Sequence, residues 1–447
     1  MITARRAKAL LAGGLLLVSA ACGTRLPESA FTTSGTASSN ANSQAATDVG
    51  VTSTQVKIGI MASVTGPLGS STFSPPMYGA QAYLAALNAR GGVHGRMIKV
   101  VTCDDQSVGS GNQRCVHHLI DDEHIFALTA TSVLNYAGAA YVNQNGVPDI
   151  GGEPIGTAYD QYPHLYSIAG SYEPRNGTVG WNGKIPTTTE IYRWLREKLN
   201  ARTAAVVYYN QADSSRYAAQ IEQGLHAEAF TVVPEQVDFA LPDFTSTALN
   251  LKARHVDLVF DALDSAGNGE LCKAIDAQAV PIEAKVTTVQ GWNAQVRKDY
   301  AASVQCRNKL YATANERNYE DTSIPIVKQF RDDMRRYFPN RKDQLSMWEL
   351  EGWAAAQWLT DAMASCGADL TRRCVEAFMN RREPYDGHGI MVPNGFPPDP
   401  TPPKIKRECV NGARWQDSAN EGRGGWVTQV PDMMTNCFDV PVLLMTP

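Results

Sequence analysis

One stretch of the chain carries residue types and a spacing that suit a metal ion. It holds three histidines and three acids, at His117, His118, Asp121, Asp122, Glu123 and His124. His117 and Asp121 are four residues apart, as are His118 and Asp122, so each pair can meet on a helix and chelate. The two pairs point about 100° apart around such a helix and do not converge on one ion. The pattern favours a solvated helix face, and we expect no bound metal.

Motifs that mark enzyme active sites are absent from the sequence. It has no G-x-S-x-G, no H-E-x-x-H, no Walker A loop and no G-x-G-x-x-G. A net charge of −5 argues against a protein that grips nucleic-acid phosphates. Apolar residues make up 43% of the chain, which is enough for a folded core. We therefore expect a folded binding protein that is not an enzyme and needs no cofactor or nucleic-acid partner.

The first residues are typical of an export signal. Three basic residues precede an apolar run, residues 9–18, that is too short to span a bilayer. Small residues then lead into Cys22, as in the bacterial lipobox, in which the cysteine is lipidated. We expect a lipoprotein signal peptide over 1–21, a lipid anchor to the cell membrane at Cys22, and a flexible Ser/Thr/Ala-rich tether over 22–50. An ordinary signal peptide cut near Cys22 is the alternative.

Eight further cysteines follow the tether. They are Cys103, Cys115, Cys272, Cys306, Cys366, Cys374, Cys409 and Cys437. An oxidising compartment outside the cytoplasm favours disulfide bonds, whereas the absence of C-x-x-C disfavours a zinc site. The spacing alone leaves the pairing open.

Secondary structure has to position these groups, and from residue 56 short apolar runs alternate with helical stretches. Residues 56–62 are typical of a strand, and the prolines at 75–76 open a helix that the glycines at 91–92 end. The alternation restarts near residue 187. It predicts an α/β fold with two doubly wound parallel-sheet lobes. The Pro- and Gly-rich end of the chain gives no clear pattern.

Six polar loops directly follow predicted strands. They are residues 63–72, 129–135, 151–153, 209–215, 261–265 and 290–293. Ligands of open parallel sheets bind beyond the carboxyl ends of the strands. Two facing lobes would bring three loops each to one small-molecule ligand.

An ordered set of motifs near the start of the body resembles one known family. The set comprises the strand 57–62, the Thr-Gly-Pro turn at 65–67, the helix 79–95 that ends in Asn-Ala-x-Gly-Gly-x-x-Gly, and the strand 98–105 that ends in Asp-Asp. It is similar to the type 1 periplasmic binding proteins, in particular the branched-chain amino acid and amide group (leucine/isoleucine/valine-binding protein-like). The resemblance covers about residues 51–385.

The resemblance implies two α/β lobes joined by three crossovers, near residues 171–180, 315–319 and 385–389. Lobe 1 would comprise 51–175 plus 316–386, and lobe 2 would comprise 176–315 plus 387–447. The eight cysteines then sort four to each lobe. Because a bond across the cleft would lock the hinge, we expect nearest-neighbour pairs within each lobe: Cys103–Cys115, Cys272–Cys306, Cys366–Cys374 and Cys409–Cys437.

In lobe 1 the resemblance assigns ligand contacts to the first three loops. Thr131 and Ser132 would take a ligand carboxylate at a helix N-terminus, or one of the hydroxyls caps the helix. Gly152 would let the backbone approach the ligand closely, and Glu153 would meet a ligand cation or lie in solvent. The last candidates are the hydroxyls of the first loop, which otherwise form an ordinary turn: Ser63, Thr65 and Ser71.

Lobe 2 departs from the family pattern, and its candidates are therefore different. They are Asn210, Asp213, Asp261, Asp264, Gln290 and Trp292. Asp261 or Asp264 would replace the usual glutamate as the partner of an ammonium group. Trp292 would pack against the ligand or belong to the core.

The leading hypothesis is a monomeric, extracytoplasmic solute-binding lipoprotein. It would capture a small polar ligand, an amino acid or amide-like compound, for the permease of an ABC importer. A ligand sensor or cell-envelope interaction protein on the same fold is the alternative. An exported hydrolase with a reactive nucleophile is the third hypothesis.

Overall fold

The computed structural model describes residues 45–66, 73–287 and 289–447. The predicted signal peptide, Cys22, most of the predicted tether and Ser71 lie outside these ranges. Within them, no helix is both long enough and apolar enough to cross a membrane.

Five parallel strands form the first sheet within the described ranges, in the order β2-β1-β3-β4-β5. They are β1 Gln55–Ala62, β2 Met97–Asp104, β3 Ala127–Thr129, β4 Asp149–Gly152 and β5 Leu165–Ser167. Strand β1 lies between β2 and β3, and Val56, Ile58 and Ile60 are fully buried. Helices cover both faces of such a sheet, which is why its strands are apolar runs rather than alternating patterns.

The second sheet has the order β14-β13-β11-β10-β9-β7-β8. Its strands are β7 Thr203–Tyr209, β8 Thr231–Val237, β9 Leu258–Ala262, β10 Ala284–Thr287, β11 Leu310–Ala314, β13 Asn411–Gln416 and β14 Gly425–Thr428. The strands from β7 to β11 pair in parallel, whereas β13 and β14 add an antiparallel edge. The predicted doubly wound α/β fold is confirmed in both lobes.

Helices connect and cover the strands. In chain order they are α1 Pro75–Ala89, α2 Gly109–His117, α3 Ala139–Gln144, α4 Ala158–Gln161, α5 Glu190–Leu199, α6 Ala212–Ala227, α7 Phe244–Ala253, α8 Ser265–Ala277, α9 Val296–Asp299, α10 Val304–Arg307, α11 Pro325–Tyr337, α12 Met347–Ser365, α13 Arg372–Met379 and α14 Ala419–Gly422. Single turns of other helix types occur at His118–Asp122, Val289–Gly291 and Pro339–Arg341.

The long helix α12 forms the core of lobe 1 although it is late in the chain. It packs against α1 and β4, and it buries Trp353 and Trp358 completely. Glycines allow the two helices to approach closely, because a Cβ at Gly79 would lie 1.8 Å from the carbonyl oxygen of Glu349. A Cβ at Gly352 would lie 2.0 Å from the carbonyl oxygen of Pro76.

Three crossovers join the lobes, as the resemblance implies. The second and third run side by side, since Glu316 pairs with Met391 and the amide of Arg317 donates to the carbonyl of Ile390 at 2.8 Å. The chain enters α11–α13 of lobe 1 through the second crossover. It returns to β13 of lobe 2 after the third.

The end of the chain, which the sequence left without a pattern, forms strands. They are β12 Ile405–Cys409, β15 Cys437–Pro441 and β16 Leu443–Met445. Strands β12 and β15 make an antiparallel ribbon, and β16 pairs with β6 Ile185–Thr187, which follows the first crossover.

Four disulfide bonds lie within the lobes. They are Cys103–Cys115, Cys272–Cys306, Cys366–Cys374 and Cys409–Cys437. These are the four nearest-neighbour pairs expected from the sequence, and none of them crosses the cleft.

Candidate ligand-binding cleft

The loop after β1 is held by the two aspartates that end β2. Ser63 is buried, and its Oγ donates to Oδ1 of Asp105 at 2.6 Å. The Oγ1 of Thr65 donates to Oδ2 of Asp104 at 2.5 Å. Burial works to raise the pKa of Asp104, but the hydrogen bonds from Thr65 and from backbone amides outweigh it and lower that pKa. Both predicted ligand hydroxyls thus donate within lobe 1.

Thr131 and Ser132 follow β3, but no helix begins beside them. Helix α3 starts only at Ala139, so the expected anion site at a helix N-terminus is wrong. Two of the intervening amides have other partners: that of Leu134 donates to Ser63 Oγ at 3.3 Å, and that of Gly138 donates to Asn112 Oδ1 at 2.8 Å. The Ser132 hydroxyl is fully buried and has no hydrogen-bond partner. Buried hydroxyls are normally hydrogen-bonded, so Ser132 is an exception.

Asp149, at the start of β4, is a buried acid that sequence reasoning missed. It accepts hydrogen bonds from the hydroxyls of Thr131 at 3.0 Å, Tyr136 at 2.6 Å and Tyr159 at 2.9 Å. Burial raises the pKa of Asp149 to about 6, against the opposing effect of the three hydroxyls. The Thr131 hydroxyl is thus committed to this network rather than free to cap a helix.

The residues that end β4 place a carboxyl group in the interior. Gly152 cannot carry a side chain, because a Cβ there would lie 1.7 Å from the Tyr159 hydroxyl. The next residue, Glu153, is 8% exposed, so the expectation of a solvated turn is wrong. Its amide donates to the carbonyl of Thr131 at 2.9 Å, and the strand β4 before it packs against α12.

Three glutamates meet at that point: Glu153, Glu316 of the second crossover, and Glu351 of α12. All are buried, and both Glu153 and Glu316 are close enough to Glu351 to act on the pKa of its carboxyl group. Burial is the main cause that raises all three pKa values, to about 8 for Glu153 and about 7 for Glu316, and well above the usual range for Glu351. The charges of neighbouring glutamates add to the effect for Glu153 and Glu351. Oε2 of Glu351 has no hydrogen-bond partner.

Asp261 of lobe 2 is also buried, but it has a cationic partner. The Lys285 ammonium on the neighbouring strand β10 forms an ion pair with it, and both side chains are almost fully buried. Asn268 Nδ2 donates to Asp261 Oδ1 at 2.8 Å. The predicted ammonium acceptor is therefore neutralised within the protein.

Asp264 and Asn210 hold local structure. Asp264 caps α8, accepting from the Gly267 amide at 2.8 Å, and it accepts from the Tyr209 hydroxyl at 3.0 Å. Asn210 Nδ2 donates to Asp238 at 3.0 Å.

The two remaining polar candidates of lobe 2 are placed only by their backbones. Helix α6 begins at Ala212, earlier than predicted, so Asp213 lies in its first turn rather than in a loop. Gln290 lies in the turn Val289–Gly291.

Trp292 lies where lobe 2 meets the start of α12. The indole is fully buried and packs against Trp426, with 5.8 Å between ring centroids. Its backbone carbonyl accepts from the Met347 amide at 2.9 Å, and the amide of Ala294 donates to the carbonyl of Leu345 at 2.8 Å. We call residues 292–294 with 345–347 the interlobe joint. Trp292 Nε1 is buried without a hydrogen-bond partner.

A cavity of 560 Å³ lies between the lobes beside this joint. Lobe 1 contributes Pro75 at the start of α1 and Trp348 at the start of α12, and lobe 2 contributes Ser265 at the start of α8 and Asn293. None of the predicted site residues within the described ranges lines the cavity. Trp348, which does, was missed, because aromatic residues in an apolar helix are more often core.

The histidine cluster forms surface pairs. His117 Nδ1 lies 2.7 Å from Asp121 Oδ2, and His118 Nδ1 lies 3.2 Å from Asp122 Oδ2. All four side chains are exposed. Across the described part of the chain, no three His, Cys, Asp or Glu side chains are arranged to hold a metal ion.

Solved structures with this architecture include solute-binding proteins of ABC transporters. The chain resembles the fatty acid ABC transporter substrate-binding protein from Thermomonospora curvata, with a TM-score of 0.61 and 17% identity over 88% of this chain and 97% of that one. It also resembles the branched-chain amino acid transporter substrate binding protein LivJ from Streptococcus pneumoniae in complex with isoleucine. The TM-score is 0.59, with 16% identity over 84% of this chain and 99% of that one. A third similar structure is the solute binding protein of an ABC transporter from Rhodopseudomonas palustris in complex with 3,4-dihydroxybenzoic acid. The TM-score is 0.61, with 14% identity over 87% of this chain and 98% of that one.

At such identities these structures establish the fold alone, and their ligands differ in charge and shape. No curated protein sequence matches the chain. The model of the family described as periplasmic binding protein matches residues 55–417, most of the chain. With its two parallel-sheet lobes and three crossovers, the chain belongs to the periplasmic binding protein family and has the type 1 fold.

Proposed function

We propose that this protein is an extracytoplasmic solute-binding lipoprotein that captures a small polar ligand and delivers it to an ABC permease. The observation that carries the proposal is a set of buried polar atoms without hydrogen-bond partners. They include Ser132 Oγ, Glu351 Oε2, Trp292 Nε1 and Trp348 Nε1. Buried polar groups are normally hydrogen-bonded, so a ligand with matching groups would satisfy them.

The same observation selects among the predicted contacts. Ser132, Glu153 and Trp292 are the contacts we propose to keep, since Ser132 Oγ and Trp292 Nε1 have no hydrogen-bond partner and Glu153 has no cationic one among the described residues. Asp261 and Asp264 already have partners inside lobe 2. Binding a ligand ammonium there would require the Asp261–Lys285 ion pair to break, which is costly in the interior.

The division of the chain and its anchoring complete the proposal. We infer that residues 51–175 and 316–386 move as lobe 1 and residues 176–315 and 387–447 as lobe 2. Cys22 would hold the protein at the cell membrane through lipid, as a monomer.

A ligand screen tests the binding function. Residues 23–447 are purified without added ligand and titrated calorimetrically with amino acids, amides, amines, fatty acids and aromatic acids. We expect saturable one-to-one binding of one class. A protein that binds none of them and does not co-purify with a permease from membranes contradicts the transport function.

Anchoring has its own test in the host cell. A Cys22→Ala variant should leave the membrane fraction and appear in the soluble extracytoplasmic fraction, while Cys409→Ala should not change the fractionation of the folded protein. Retention of Cys22→Ala at the membrane would contradict the lipid anchor.

A further inference from the structure

We infer that the three glutamates between β4, α12 and the second crossover bind the cationic head group of the ligand, an ammonium or a guanidinium. We call Glu153, Glu316 and Glu351 the glutamate cluster. The inference rests on the proposed solute-binding function and names its substrate class: an organic cation.

The first step is that the cluster lacks a counter-charge. Two other buried acids in the described part of the chain are paired with a base: Glu228 with Arg193, and Asp261 with Lys285. Two more, Asp105 and Asp149, have no base but accept hydrogen bonds from hydroxyl and amide groups. Glu349 pairs with Arg341 at 2.6 Å, and it lies on α12 only two residues before Glu351. No lysine or arginine of the described residues forms an ion pair with the cluster. Three ionised carboxylates cannot remain buried together, so without a cation they must hold protons.

The second step is that the cluster has unfilled bonding capacity. Glu351 is 5% exposed, and its Oε2 is buried without a hydrogen-bond partner. An ammonium brings three N–H donors and a guanidinium brings five. Either group supplies the donor and the positive charge that the protein itself does not supply.

The third step is the position of Glu351 on α12, near a residue that lines the interlobe cavity. Trp348 lines that cavity, and Glu351 lies three residues further along α12, on the same helix face. Trp348 stacks on Phe73 with 5.7 Å between ring centroids. Indole faces attract cations, so the wall that leads to Glu351 suits the same kind of ligand.

The location also links binding to the hinge. Glu153 and Glu351 belong to lobe 1, whereas Glu316 lies on the crossover that pairs with Met391 of the third crossover. A cation that draws the three carboxylates together therefore connects lobe 1 to two of the segments about which the lobes turn. Binding at the cluster favours one arrangement of the hinge over the other.

Protons must balance in this step. Near neutral pH the cluster carries carboxylic acid protons, and the entering ligand is already a cation. Binding ionises at least one carboxylic acid, whose proton passes to the buffer, and leaves an ion pair between the carboxylate and the ligand. Binding should thus release protons and become tighter as the pH rises from about 6 to about 8, the range in which Glu316 and Glu153 titrate.

The test is calorimetric titration of residues 23–447 with four-carbon probes of equal length: 1,4-diaminobutane, 1,4-butanediol and succinate, with agmatine and ethanolamine as further cations. We expect a cation to bind and both the diol and the dianion to fail. Repeating the titration in buffers of different ionisation enthalpy should show the released proton.

Variants locate the site. Glu351→Gln should weaken binding of the cation at least about 30-fold and abolish proton release, since it removes one partner of a buried charge pair. Glu316→Gln is the second variant, in case the first fails to fold. Asp332→Asn, which removes an exposed carboxylate from α11, is the matched control and should bind as the parent does.

Three other results would contradict the ligand class, the site or the proposed function. Preferred binding of a neutral or anionic solute, or of Ca²⁺ alone, overturns the cationic class but leaves the solute-binding function standing. Cation binding that is unchanged in both glutamine variants overturns the site. Failure to bind any solute of the wider screen overturns the proposed function and this inference with it.

Discussion

Two buried carboxylate sites, one in each lobe, differ in how their charge is balanced. In lobe 2, Asp261 lies against the Lys285 ammonium and an asparagine amide, and its charge is balanced within the sheet. In lobe 1, Glu153 and Glu351 face each other and Glu316 without a base. Only the second arrangement needs something from outside the protein, either protons or a cation. Burial alone thus does not identify a binding group; the lack of an internal partner does.

The largest effect on stability is expected from breaking the Asp261–Lys285 ion pair. Lys285→Met should leave the buried Asp261 carboxylate without its cationic partner, and it should lower the free energy of unfolding by about 3–5 kcal/mol. Urea denaturation at pH 7 measures the change. The double variant with Asp261→Leu should recover most of it, and a Lys285→Met protein as stable as the parent would contradict the importance of this pair.

A substitution in the glutamate cluster is expected to raise stability instead of lowering it. Its pKa values are raised in the folded protein, so folding takes up protons and stability is lost as the pH rises from the usual carboxyl range to about 8. Glu351→Gln should flatten this slope and stabilise the ligand-free protein at pH 8 by on the order of 2 kcal/mol. Urea midpoints at pH 5 and pH 8 provide the measurement. An unchanged slope would show that the cluster is not protonated at neutral pH.

The smallest effect concerns an acid with a purely local role. Asp264→Ala removes the cap of α8 and should cost about 1 kcal/mol of stability. Ligand affinity should stay within a factor of about 2, because the Asp264 carboxylate is directed to Gly267 and Tyr209. Thermal denaturation measures the stability effect, and calorimetric titration measures the effect on affinity. A large loss of affinity would show that Asp264 contacts the ligand.

Much of this architecture could be read from the sequence. Apolar runs such as 56–62, alternating with helical stretches, indicate buried parallel strands, and a family motif fixed the order of lobes and crossovers. The chain end was not predictable in the same way. Strands β13 and β14 gain their stability from the edge of the second sheet, a contact that local composition does not reveal.

The candidate site was predicted only in part. Glu153 follows a strand and was therefore considered, but its partners Glu316 and Glu351 lie far away in the chain. One signal was available: Glu351 stands in an apolar helix that also holds Trp348 and Trp353, and an acid in such a helix is buried. Lys285, within a short buried strand, was the matching signal for Asp261.

The interlobe joint has a consequence for how opening of the cleft can be observed. The amides of Ala294 and Met347 are hydrogen-bonded across the lobes, so they can exchange with solvent deuterium only when the joint separates. Each such bond adds about 0.5–1.5 kcal/mol, so the joint alone does not hold the cleft shut. Exchange at these two positions therefore reports how often the protein opens. Saturating ligand should slow it selectively, relative to amides deep in the β1–β2 ladder.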